Sequence, residues 1–308
     1  MPHLTSVVIP SLRGGTGLLE LVRRLTVHAG RPVEILVADN GLAAPTVEGL
    51  RSLGAIVVPM RRNRGFAAAV NHAAEAARGE ALVVLNDDVL PEPGFLDALV
   101  AGLATAEMVA GVLLRADRPD VIESAGIELD AALGPHDYLQ GESVLRLQGA
   151  FPPPVGPCGG AAGFRIDAFR SVGGFDEGFF AYCEDVDLAL RLRAAGARCA
   201  LATGARARHV GSGTLGYSSL EKAKLVGYSR GYLIRKYGVL TRPGSALLAC
   251  NIEAAAAVML GVRHRSLEPA RARIRGWRSC RVRADAPKDQ VTVGPLEAFG
   301  RRLSRSRR

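Results

Sequence analysis

An open, mainly parallel α/β sheet with helices on both faces, followed by a C-terminal helical appendage, is the fold class predicted by this 308-residue sequence. Three observations point to it. Short apolar runs alternate with helix-period segments up to Leu85, polar and glycine-rich residues follow each apolar run, and the charge balance changes near residue 240. Such a βαβ series folds into parallel strands covered by crossover helices, with ligands bound beyond the carboxyl ends of the strands.

Leu4 to Pro10 reads as the first strand and Leu18 to His28 as the helix after it. The start of the chain lacks the basic and long apolar regions of a signal peptide, so Val7, Val8 and Ile9 are read as sheet. Val33 to Ala38, Ala55 to Pro59 and Ala81 to Leu85 are the next strands, separated by helices at Pro45 to Leu53 and Phe66 to Arg78. The residues just past these strands are Ser11 to Gly17, Asp39-Asn40-Gly41, Met60 to Gly65 and Asn86-Asp87-Asp88.

The second half is less regular. Strands are predicted at Met108 to Leu114, Val121 to Leu129 and Arg198 to Thr203, and helices at Asp167 to Ser171, Glu184 to Ala195 and Lys222 to Tyr237, while Cys158 to Ile166 is a segment of unassigned type. A loop-rich stretch runs to Pro157, and Ser245 to Val262 is apolar but carries Asn251 and Glu253, which makes it a poor membrane span.

The net charge of +9 is unevenly placed. Residues 241–308 hold 15 Arg and Lys against 5 Asp and Glu, whereas residues 1–240 hold 24 against 25. The body is therefore nearly neutral, which argues against a nucleic-acid partner, and residues 241–308 form a basic helical extension that is expected to be partly disordered. Beside the apolar stretch, that extension suits either the surface of an anionic membrane or a helix packed on the body followed by a solvated tail. The five cysteines form no C-x-x-C pair and fit reduced thiols in a cytoplasmic protein.

Four segments carry chemistry. Asn86-Asp87-Asp88 places adjacent carboxylates at a strand end, where hard oxygens suit Mg²⁺ or Mn²⁺ bridging a diphosphate; the same residues also make an ordinary turn. Glu184-Asp185-Val186-Asp187 opens a helix, where acids cap and complement the helix dipole. At 3.6 residues per turn, Asp185 falls with Leu188, Ala189 and Leu192 on the packed side, a position that also suits a general base. Asn63-Arg64-Gly65-Phe66 leads into a helix whose first amides either face an anion or simply close the loop. His209 precedes Gly211-Ser212-Gly213-Thr214, a loop suited to phosphate, although a lone histidine is as readily structural.

Taken in order, Val7 to Pro10, Val37 to Gly41, Asn63 to Ala67 with Asn71, Leu85 to Asp88, Gly173 to Phe180 and Glu184 to Leu188 resemble the family 2 glycosyltransferases, especially the bacterial rhamnosyltransferase-like branch, with its GT-A fold. The resemblance implies a transferase domain at 1–240, its donor half about 1–115 and its acceptor half about 116–240. It implies that Asp39 contacts the nucleotide base, and that Pro10, Ser11, Asn40, Asn63, Arg64, Gly65, Asn71, Asn86 and Asp87 border the nucleotide sugar. Asp88, helped by Asp87 and approached by His209, would hold Mn²⁺ or Mg²⁺. Asp185, with Glu184 beside it, inherits the catalytic-base role, and Gly160, Ala161 and Phe180 lie near the acceptor. The implied reaction is an inverting single displacement from a nucleoside-diphosphate sugar, dTDP-rhamnose by branch, to a glycan or lipid-linked acceptor.

Two departures stand out: the metal motif is N-D-D where the family has D-x-D, and Val210 to Thr214 replaces a serine-bearing segment. A nucleotidylyltransferase is the enzyme alternative, kept open by Ser11 to Gly17, and a non-catalytic glycan- or partner-binding scaffold is the other. A dehydrogenase fits worse, because Gly15-Thr16-Gly17 lacks the third glycine of the dinucleotide fingerprint.

Overall fold

The computed structural model describes residues 4–210, 219–241, 246–287, 291–294 and 297, with the backbone alone for 246–250. The first half is the expected alternation: β1 (Thr5–Ser11), α1 (Thr16–Val27), β2 (Val33–Asp39), α2 (Ala44–Ser52), β3 (Ile56–Pro59), α3 (Gly65–Glu75) and β4 (Ala81–Leu85). Then come β5 (Val89–Pro91), α4 (Phe95–Gly102), β6 (Met108–Arg115), β7 (Ile122–Ser124), β8 (Ile127–Leu129), β9 (Pro135–Asp137), β10 (Ala161–Arg165), α5 (Ile166–Ser171), α6 (Glu184–Ala194) and β11 (Cys199–His209). Three helices follow: α7 (Leu220–Lys236), α8 (Ala246–His264) and α9 (Glu268–Ser279).

The main sheet has the order β3-β2-β1-β4-β10-β6-β11-β5, with β7 also on β6. Strands β1 to β4, β6 and β11 run one way, and β10, β5 and β7 run against them. The mainly parallel expectation holds. Central β1 is buried along its whole length, which is why its sequence is a near-continuous apolar run instead of an alternation. One face of the sheet packs on α1 through Leu18, Leu21, Val22 and Leu25, an i, i+3, i+4, i+7 stripe, and on α4. The other face packs on alanine-rich α3 and on α5 and α6.

Register explains where the chemistry collects. Ser11 pairs with Asp39 and Asp39 with Pro59, while Val8 pairs with Val84, so the residues after β1, β2, β3 and β4 emerge on one edge. Antiparallel β10 begins at that edge, and Asn86 N–H donates to the Gly160 carbonyl at 3.4 Å. At its far end β11 delivers His209, and Val210 N–H donates to the Asp88 carbonyl at 2.9 Å.

The second half departs from the sequence expectations in three places. The stretch from Val121 to Leu129 breaks into β7 and β8 at Gly126, whose φ of 117° and closeness to the Gly156 carbonyl, 2.8 Å from where a Cβ would be, suit glycine alone. Strand β11 runs past Thr203 to His209 through a register shift between Leu201 and Arg206. Helix α9, inside the extension expected to be helical but not delimited as an element of its own, lies tightly on α7: a Cβ on Gly231 would meet the Arg273 carbonyl at 2.0 Å, and one on Gly276 the Tyr228 carbonyl at 1.9 Å. Tyr232 and Leu233 of α7 and Tyr237 just past its end share a core with Trp277 and Cys280, so the segments before and after residue 240 are packed together. No described helix is long and apolar enough to cross a membrane, and Cys158, Cys183, Cys199 and Cys280 are free thiols.

Candidate active site

A cavity of about 1210 Å³ opens at the collected strand ends. Pro10, Ser11, Asn40, Asn63, Gly65 and Asn86 to Asp88 line one side, Gly160, Phe180, Glu184, Asp185 and His209 another, and residues of α7, α8 and α9 close it. Asp39, Arg64, Asn71 and Ala161 are not among its lining residues.

The N-D-D segment uses its three side chains differently. Asp87 accepts from Ser11 Oγ at 2.5 Å, and Ser11 Oγ accepts Gly14 N–H at 3.2 Å, tying the β1 and β4 ends together. Burial, with the Asp88 charge, holds the Asp87 carboxyl above its ordinary value despite the serine. Asp88 turns instead to His209, with Oδ1 3.2 Å from Nε2. This buried oxygen has an ionic neighbour but no hydrogen bond of good geometry. His209 Nδ1 lies 2.9 Å from Glu123 Oε1 of β7. Burial pulls the imidazole pKa down, but its two carboxylate partners outweigh this and hold it up at about 10.

Glu123–His209–Asp88 is the arrangement in which an outer carboxylate orients a histidine toward an ion. The poorly satisfied Asp88 oxygen beside Nε2 fits a divalent cation, although among the described residues no group of three His, Cys, Asp or Glu closes around such a site. Asp87, expected as a helper ligand, is directed to Ser11. Glu123 carried no motif; the one sign of it was an acid between two buried residues in a short strand. The loop of residues 211–214 lies outside the described residues.

Helix α6 enters the cavity from a strained turn. Tyr182 and Cys183 have φ of 69° and 64°, left-handed conformations that cost non-glycine residues about 1–3 kcal/mol each and that recur at functional sites. The N-cap Cys183 gives no side-chain cap. Asp185 Oδ2 accepts Gly159 N–H at 3.1 Å and Oδ1 accepts Val186 N–H at 2.8 Å, which fixes the carboxylate at the cavity wall. Burial holds its pKa above the ordinary aspartate value. Gly159 and Gly160 keep the floor open, since a Cβ on Gly160 would lie 3.3 Å from Asn86 Nδ2.

The helical-wheel expectation needs correcting at α6, because the other sector is buried more deeply than Asp185. Glu184 is buried, Oε2 has no hydrogen-bond partner, and burial beside Asp185 drives its carboxyl well upward. Asp187 is fully buried and meets Lys236 at 2.6 Å, Arg191 at 2.8 Å and Tyr237 OH at 2.9 Å. Lys236 also holds Asp176 at 2.6 Å. The wheel assumed one packed face, whereas α7 covers the second.

The start of α3 is likewise self-satisfied. Gly65 N–H donates to Asn63 Oδ1, Phe66 N–H to the Phe180 carbonyl at 2.7 Å and Arg64 N–H to Asn40 Oδ1, so these amides are not directed at an anion. Gly65 has φ of 87°, and a Cβ there would sit 2.1 Å from the Phe180 carbonyl oxygen. Asn71 clamps the Phe175 backbone with both ends of its amide, at 2.8 and 2.9 Å, and Arg64 pairs with Glu177 at 2.6 Å. These residues position the Gly173 to Phe180 segment under the cavity. Asp39 Oδ1 accepts the Gly41 and Leu42 amides and shapes the turn after β2, while Ala161 is buried in β10 between β4 and β6.

An open α/β sheet with acids, a histidine and a buried carboxylate around a cavity at its strand ends is the architecture of an α/β enzyme that binds its ligand at the sheet edge. The model of glycosyl transferase family 2 matches residues 6–173, and the chain belongs to that family. It is 31% identical over 222 residues to the N-acetylglucosaminyl-diphospho-decaprenol L-rhamnosyltransferase of Mycobacterium tuberculosis, covering 64% of this chain and 72% of that protein. By fold it is similar to GalNAc-T7 with UDP, GalNAc and Mn²⁺ (TM-score 0.60, 15% identity, 77% of this chain and 48% of that one). It is also similar to the mannosyltransferase PcManGT from Pyrobaculum calidifontis with GDP-Man and Mn²⁺ (TM-score 0.52, 18% identity, 98% and 80%). The fold is of the GT-A type.

Proposed function

We propose that this glycosyltransferase moves a sugar from a nucleoside-diphosphate donor, with dTDP-rhamnose the leading candidate, to a hydroxyl of a lipid-linked acceptor, with inversion. The observation that carries the reading is the single cavity bordered by Asp87, Asp88 and His209 as well as by Asp185. The relative's name supports both the sugar and the diphospholipid acceptor, and the Mn²⁺ of the similar solved structures supports a divalent ion.

In this reading Asp88 and His209 would hold the ion, the imidazole giving up the Nε2 proton it shares with Asp88, and the ion would supply positive charge to offset the negative charge developing on the departing diphosphate. Ser11 and Asp87 fix the ends of β1 and β4 under the donor. Asp185 takes the acceptor hydroxyl proton as that oxygen bonds to the anomeric carbon and the bond to the diphosphate oxygen breaks, its electron pair leaving with the nucleoside diphosphate. Residues 1–115 form the donor half and 116–240 the acceptor half, and the basic C-terminal segment rests on the membrane that carries the acceptor. Titration calorimetry with dTDP tests the donor side: binding in Mn²⁺ should exceed binding in EDTA by at least about tenfold, since two phosphates would otherwise face Asp87 and Asp88 unshielded. Equal affinity in the two buffers would refute the metal-bound donor.

A further inference from the structure

The cavity lining is uneven in charge. The strand ends and the start of α6 present Asp87, Asp88, Glu123, Glu184 and Asp185, with His209 among them and Asp137 nearby. The wall built by α7, α8 and α9 presents Lys222, Arg230, Arg263 and Arg273, with Glu253 as the one acid among its described lining residues. Arg230 is buried and held rigidly by the Leu133 carbonyl at 2.6 Å, the Ala132 carbonyl at 2.9 Å and Glu253 at 2.8 Å, and Glu253 is in turn bound by Arg273. Lys222 stands 5.5 Å over the ring of Tyr182, the residue that leads into Asp185 through the strained turn. On the same wall Val258, Met259 and Val262 are exposed to solvent, at 65%, 37% and 73%. An acidic wall needing a cation and a basic wall edged with apolar side chains do not serve one anion.

We propose that the α7–α9 wall is a second anion subsite, which binds the diphosphate of a prenyl-diphosphate-linked acceptor through Lys222 and Arg263, with Val258, Met259 and Val262 receiving the first apolar units of the lipid. The inference rests on the transferase reading above and assigns the acceptor side of that same cavity. It accounts for how an acceptor carrying a diphosphate avoids the donor's place: the acidic wall repels an anion without a metal, and the basic wall does not. Arg230 and Glu253 act as a fixed base under the subsite.

Binding of farnesyl diphosphate in EDTA, followed by titration calorimetry on the full chain, tests the subsite without involving the metal end. The parent should bind it, and the K222A/R263A double variant should bind at least about tenfold more weakly, a loss of about 1.4 kcal/mol, because two charge-assisted contacts to the diphosphate are removed. Arg278→Ala, an exposed charge outside the cavity, and Asp88→Asn should leave this binding unchanged. The double variant should still bind dTDP in Mn²⁺ like the parent, which also shows that it is folded. No binding to the parent, or binding weakened by Asp88→Asn but not by K222A/R263A, would overturn the subsite. So would a double variant that loses only its attachment to phosphatidylglycerol vesicles, which would assign the two cations to a membrane surface. Absence of dTDP binding by the parent in Mn²⁺, with farnesyl diphosphate still bound, would instead count against the donor reading.

Discussion

At the scale of single residues, Asp185 and Asp88 are set apart by what holds them. Asp185 is fixed by two backbone amides at the cavity wall, in surroundings that favour its protonated form. Asp185→Asn keeps the shape and removes the basicity, so transfer should slow by at least about a hundredfold while dTDP binding and melting temperature stay near the parent. Because burial raises this pKa, the base is lost on acidification earlier than an ordinary aspartate would be. The acid limb of kcat should therefore lie above about pH 4, with the rate falling as pH drops through it, and the limb should vanish in the variant. A stable variant with near-parent turnover would move the role to Glu184. The acids themselves were legible in the sequence because motif order carries a resemblance. Their partners were not: Glu123 reaches His209 across 86 residues, and Asn71 grips a backbone 104 residues away, contacts that no local spacing encodes.

Elements were read well where one period dominated. The β1-to-β4 series was clear because short apolar runs alternate with helix-length segments, of which α1 has a single apolar stripe. Helix α9 lies inside an extension expected to be helical, but its bounds and its seat on α7 were not legible, because the contact is made by small residues: Gly227, Gly231, Ala272 and Gly276 let two backbones touch. This gives opposite signs for one substitution. Gly261 of α8 has its nearest foreign atom 3.5 Å from an added Cβ, so Gly261→Ala should stabilise by up to about 1 kcal/mol through helix propensity. Gly276→Ala would place a Cβ 1.9 Å from the Tyr228 carbonyl and should destabilise by about 1–3 kcal/mol, as read by urea unfolding. If both changes stabilise, the α7–α9 packing is wrong. Lys236 joins α7 to α6 and to the segment before it by neutralising buried Asp187 and half-buried Asp176. Lys236→Met leaves Arg191 as the remaining cation bonded to Asp187 and should cost about 3 kcal/mol or more, because a buried charge is left under-compensated. A loss under about 1 kcal/mol in the same unfolding experiment would show that the network is dispensable.

At the scale of the whole molecule, the sequence already separates a near-neutral body from a C-terminal segment carrying fifteen basic and five acidic residues. It does not reveal that this segment folds back to wall the cavity, because that depends on glycine contacts between α7 and α9. The corner from α8 into α9 combines exposed Val258, Val262, Leu267 and Ile274 with exposed Arg263, Arg265, Arg271 and Arg275. Apolar side chains beside arginines suit an anionic bilayer, where each basic residue near the surface adds about 1 kcal/mol and buried apolar area adds the rest. The core crossing residue 240 rules out deletion as a clean test, since removing the extension would strip Trp277 and Cys280 from Tyr232 and Tyr237. Point variants avoid this. In flotation, the full chain should rise with phosphatidylglycerol vesicles and not with phosphatidylcholine alone. Raising the salt from about 0.1 M to about 1 M should release it, because the screening length falls from about 10 Å to about 3 Å. Val258→Glu with Val262→Glu should weaken flotation at both salts, since the change removes apolar contact and adds repulsion from the anionic surface. Flotation that is indifferent to lipid charge, or unchanged in the double variant, would show that this corner does not meet the membrane.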